Sequence, residues 1–140
     1  MSWGSMGRFA PDNRVHTVTG KANEFILTKP LRYYSSKYDF WVTVPIGFPT
    51  DFASLPRPVR GLINRNGKSR PAAVIHDYLC VKQLVSRRGA DQVFLEALKA
   101  CDVNPIIRWT MYSTVRVYGR LKTTRIAIQN KIKKGTRTWI

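Results

Sequence analysis

The chain has 140 residues, 44% of them apolar, which suits one domain with a real core and excludes wholesale disorder. It carries 24 Lys and Arg against 8 Asp and Glu, and the resulting net charge of +16 attracts polyanions such as nucleic acid, anionic lipid or an acidic protein. No apolar run approaches the roughly 18–20 residues that span a bilayer, and the N-terminus lacks the continuous apolar segment of a signal peptide, so residence in a bacterial-type cytoplasm or packaging into a particle is expected.

Residues 1–14 are rich in Gly, Ser and Pro and read as a flexible arm, with Trp3 and Phe9 as aromatic anchors for a neighbour. Residues 15–122 read as a single α+β domain. Its first part, 15–44, has strand character. "VHTVT" alternates, "EFILTK" and "LRYY" flank Pro30, and "DFWVTVP" is rich in aromatic and β-branched residues. One small antiparallel sheet is expected. Residues 45–71 hold five prolines and three glycines and read as a long irregular loop, the kind of segment that fixes functional side chains.

The remainder is predicted helical. Ala72–Val85 forms one helix, with Pro71 near its first turn. "SRRGADQVFLEALKACD" forms a second. "NPIIRWTMYSTVRVYGRLK" forms a third, with Asn104 as N-cap and Pro105 at the first helical position. Cys80 and Cys101 lie in apolar helical patterns and read as free thiols. Residues 123–140 form a basic tail, either a last strand or an arm ordered by a partner. From Val103 onward every charged residue is basic, including Arg120, Lys122, Arg125, Lys131, Lys133, Lys134 and Arg137, so this end is a candidate contact for a partner subunit or nucleic acid. Zinc-finger spacing, basic-zipper heptads and a helix-turn-helix are not evident, which argues against sequence-specific DNA reading.

The candidate site centres on "AAVIHDYLC", residues 72–80. On a helix His76 and Asp77 point about a hundred degrees apart and must face different neighbours. Asp91 follows His76 by 15 residues across a short connection, so two antiparallel helices bring the two together. A carboxylate there fixes the imidazole tautomer and leaves the other nitrogen as a general base. The plainer alternative has His76 filling a hydrogen bond in the core and Asp77 pairing with Arg87 or Arg88. A zinc site from His76, Cys80, Asp51 and Asp91 lacks a spacing motif, and Ser54 lacks a nucleophile elbow. No cofactor is called for by any motif; "GLINRNGK" has no Walker pattern.

Three stretches carry a family resemblance: "VPIGFPTDFASLPRPVRGL", "RPAAVIHDYLC" and "SRRGADQVFLEALKACDVNPIIRWTMYSTVRVYG". In order and spacing, residues 15–120 resemble a domain-of-unknown-function family, numbered thirteen fifty-three, common in tailed bacteriophages and prophages. Thr50, Asp51, Ser54, Pro56, His76, Asp77, Ala90, Asp91 and Phe94 match its motif positions, and a Val-Arg-x-x-Gly end to the last helix matches as well. Cys80 stands where the family usually has Tyr. A shorter stretch, about 20 residues, is similar to the His-Asp helix pair of secretory and viral phospholipases. That resemblance implies a general base at His76, a calcium ligand at Asp77 and an orienting carboxylate at Asp91. The Gly-rich calcium loop and the disulfides of those enzymes are absent.

Three functions are therefore carried forward. The first is a virion structural or assembly component, in the tail, neck or baseplate, docking to other virion proteins. The second is a small hydrolase acting on lipid or cell-wall polymer through Asp51, His76 and Asp91. The third is a basic accessory protein that binds nucleic acid or a host factor.

Overall fold

The computed structural model describes residues 7–12, 14–19, 25–50, 55–65 and 67–121, and it is an α+β fold. Strands β1 (Arg8–Phe9), β4 (Leu31–Ser35) and β5 (Phe40–Val44) form one antiparallel sheet in the order β1-β4-β5. Strands β2 (Thr17–Thr19), β3 (Phe25–Leu27) and β6 (Pro49–Thr50) form a second, in the order β2-β3-β6. The helices are α1 (Arg57–Arg65), α2 (Arg70–Lys82), α3 (Arg87–Ala100) and α4 (105–121, the last residue described).

The expected single sheet is therefore two. Pro30 lies between β3 and β4, where its missing N–H and fixed φ interrupt the ladder. Pro49 is tolerated because β6 is an edge strand. In β4 and β5 the period-2 pattern sends Leu31, Tyr33, Val42 and Val44 inward, and Arg32, Tyr34, Trp41 and Thr43 outward. Part of the segment expected to be a free arm joins this sheet, because Arg8 and Phe9 pair with Tyr34 and Tyr33. The Phe9 ring packs 4.7 Å from that of Tyr33.

The stretch expected to be irregular contains α1 and, at Gly67–Ser69, one 3-10 turn. Val59 and Ile63, four residues apart, bury one face of α1. Pro58 is its second residue, where a missing N–H costs nothing. The prolines that read as loop punctuation thus open a helix instead.

Helix α2 is the centre of the molecule. Pro71 through Asp77 and Leu79 are all buried, so the helix has no solvent face over most of its length. It begins at Arg70 and ends at Lys82, short of Val85, because Gln83 takes a left-handed conformation (φ 52°). Helix α3 starts on Ser86, whose side chain accepts the Gly89 N–H at 3.0 Å. Asn104 caps α4 as expected, accepting the Ile106 N–H at 2.8 Å. Met111 and Val115 of α4 belong to the same buried cluster as the core residues of α2 and α3. No helix among the described residues is long and apolar enough to cross a membrane.

Candidate functional site

A central helix buried on all sides must satisfy its polar side chains internally. His76 and Asp77 are such groups, and they divide as the helical geometry requires. His76 Nε2 lies 2.6 Å from Asp91 Oδ1 on α3, and both side chains are fully buried. Asp77 does not pair with Arg87 or Arg88. It accepts the Thr50 hydroxyl at 2.7 Å, at the end of β6. The Phe94 ring packs 5.1 Å from the imidazole and, with Ala90, seals the pair on the α3 side.

The sequence did not anticipate what holds the other side of Asp91. Arg116 of α4 donates from Nη1 to Asp91 Oδ2 at 2.7 Å, and Arg87 Nε lies 3.4 Å from Oδ1. Gly119, one turn beyond Arg116, leaves room beside this contact. A Cβ there would sit 3.0 Å from Arg87 Nε and 3.3 Å from Asp91 Oδ2. One carboxylate thus ties α2, α3 and α4 together. The signal was present in the Val-Arg-x-x-Gly end of the last helix, which supplies both Arg116 and Gly119.

Burial holds the His76 imidazole below its ordinary pKa of 6.5, against the opposing pull of Asp91; Arg87 adds to the depression. The neutral ring then carries its proton on Nε2 and donates it to Asp91. The Cys80 thiol lies 3.7 Å from Nε2 and 4.0 Å from Nδ1. The sulfur is thus nearer Nε2 than Nδ1 and is not aligned with the Nδ1 lone pair. Among the described residues no three His, Cys, Asp or Glu side chains converge as a metal ion would need, so Asp77 gains no co-ligands there. Asp51 and Ser54 lie outside the described residues, as do Lys122, Arg125, Lys131, Lys133, Lys134 and Arg137. Arg120 is exposed at the end of α4.

A second carboxylate cluster was missed altogether. Glu96 accepts hydrogen bonds from the Tyr33 hydroxyl (2.5 Å), the Ser36 hydroxyl (2.6 Å) and the backbone N–H groups of Ser36 (3.1 Å) and Lys37 (3.0 Å). It clamps the β4–β5 turn to α3. Separately, a cleft of about 410 Å³ is lined by Arg14, Lys68, Arg70, Pro71, Cys101 and Asp102, among others, none of them in the His76 cluster.

A family model described as protein of unknown function (DUF1353) matches residues 25–115. The chain belongs to the DUF1353 family. The DUF1353 match spans β3 to the middle of α4 and contains His76, Asp77, Asp91, Phe94 and Thr50; Arg116 follows directly after it. No curated protein and no solved structure matches the chain.

Proposed function

We propose that the chain is a non-catalytic docking module that assembles against other subunits of a tailed-phage particle. The observation that carries this is the outer face of α4. Ile106, Trp109, Val117 and Leu121 are 79%, 51%, 60% and 66% exposed and fall along one side of the helix, opposite the buried Met111 and Val115. That side also carries the exposed Thr110, Ser113 and Arg120, so α4 has one face for the core and a mixed apolar and polar face for a neighbour. The partner that fits has an apolar centre and an acidic rim, because no acid follows Asp102 in the sequence. The phage setting rests on the resemblance to a family common in phages and prophages.

The His76 cluster is consistent with a fastener. A catalytic base must take up a proton, and an imidazolium at His76 would share Asp91 with two guanidiniums in a place closed to solvent. One observation favours the hydrolase as a second reading: the 2.6 Å contact from Nε2 to Asp91 is the contact an oriented general base needs.

Mass spectrometry of purified particles tests the proposal. The chain should be present, and Val117→Asp should remove it from particles while leaving the melting temperature unchanged. Absence of the unaltered chain from particles rejects assembly. If His76→Asn abolishes hydrolysis of a lipid or peptidoglycan substrate with melting unchanged, the hydrolase reading replaces the fastener.

A further inference from the structure

The outward face of the β1-β4-β5 sheet carries a second surface, independent of α4 and of the assembly proposal. Among the described residues, helices α2 and α3 pack against this sheet, whose buried inner face carries Leu31, Tyr33, Val42 and Val44. On the outer face, Arg8 stands opposite Tyr34 and Tyr34 opposite Trp41, so the three side chains form one row across the three strands. Arg32 lies two residues from Tyr34 on the same face. The Arg8 guanidinium sits 4.7 Å from the Tyr34 ring and the Arg32 guanidinium 4.9 Å from the Trp41 ring. Tyr34 and Trp41 meet edge to face at 5.7 Å. Trp41 is 42% exposed, a large share for a tryptophan in a paired strand.

We infer that this row is a binding platform for single-stranded nucleic acid. Two features must both be matched by the ligand. The exposed aromatic rings and the guanidiniums beside them offer π surfaces and cations against which unpaired bases stack, whatever their sequence. The guanidiniums supply positive charge for phosphates, in a molecule of net charge +16. The Asp39 carboxylate, which accepts the Tyr34 hydroxyl, marks the edge of the platform at the β4–β5 turn. An acidic protein would answer the arginines but gain little from the rings. Duplex DNA would answer the charge but hides its base faces. A single strand offers both.

The test is fluorescence anisotropy of the full chain with a labelled oligothymidine of about twenty nucleotides and with a duplex of equal length. The single strand should bind more tightly than the duplex. Trp41→Ala should weaken single-strand binding about tenfold, and Trp41→Phe should keep most of it. Arg8→Gln with Arg32→Gln should flatten the salt dependence, since fewer counterions are then released. Circular dichroism and melting show that each variant is folded; Trp41→Phe keeps the test open if Trp41→Ala is not. Equal affinity for duplex, or single-strand binding indifferent to Trp41→Ala, overturns the inference. So does binding that is lost on Lys133→Gln with Lys134→Gln while Trp41→Ala has no effect.

Discussion

Asp91 takes a hydrogen bond from His76 on one oxygen and from Arg116 on the other, so its charge is balanced only while three helices stay in register. Removing one partner of a buried pair leaves the other uncompensated, which costs on the order of 3–5 kcal/mol. Arg87 remains nearby, so Arg116→Met should cost about 3 kcal/mol in urea unfolding, and Arg116→Lys should recover part of it because only the single contact from Nη1 to Asp91 Oδ2 has to be replaced. The imidazole gives a separate signature. Its pKa is 6.5 when unfolded and lower in the native state, where burial opposes the charge. Above 6.5 both states are neutral and the stability is fully present. Below it the unfolded chain takes a proton the native chain refuses, and stability falls as pH drops towards the native value. Melting temperature should therefore decline between about pH 7 and pH 5, and His76→Asn should flatten that decline. The cysteines offer a third check. Burial pushes the Cys101 thiol up to about 11, so at pH 8 a thiol reagent should label the half-buried Cys80 and reach Cys101 only after unfolding.

Between elements, the contact of α3 with the β4–β5 turn depends on one side chain, Glu96. Its loss would strand the buried Tyr33 hydroxyl, whose ionisation is already pushed well above the ordinary phenol range by burial and by Glu96. Glu96→Ala should cost about 2–4 kcal/mol and speed hydrogen exchange of the amides of Ser36 and Lys37, with α2 amides unaffected. The sequence had no means of revealing this clamp, because its partners lie about 60 residues upstream. The pairing of His76 with Asp91 was legible for the opposite reason. Both sit on strongly periodic helices joined by a short connection, so a spacing of 15 residues translates directly into an antiparallel contact. Helix α1 was hidden by its own prolines, which mark loops and first helical turns alike. Two strands of the second sheet were legible in "VHTVT" and "EFILTK", but their separation from the first sheet was not, because the third strand, β6, is two residues long and lies in the stretch read as a loop. Arg116 stood in a recognisable Val-Arg-x-x-Gly motif, yet nothing local says which of the eight acids it meets.

Over the whole molecule, 24 Lys and Arg face 8 Asp and Glu, and Asp91 is already matched in the core by Arg116. A folded chain of this length has a radius of gyration of about 14 Å. At about 0.01 M salt the screening length is roughly 30 Å, so like charges repel across the entire molecule; at about 0.15 M it is roughly 8 Å and only neighbours interact. Compaction brings those charges together, so repulsion destabilises the native state more than the unfolded one. Exposed ion pairs work in the other direction, but among the described residues the ones at the surface gather on Asp12 and are worth little. The pairs on Asp91 are buried and are screened much less. Raising sodium chloride from about 0.01 to 0.15 M should therefore raise the melting temperature by several degrees. A polyanion such as heparin should raise it further at equal ionic strength, because it binds the native surface as well as screening it. A fall in melting temperature over the same range would mean that surface ion pairs, not the core and the Asp91 fastener, hold the fold.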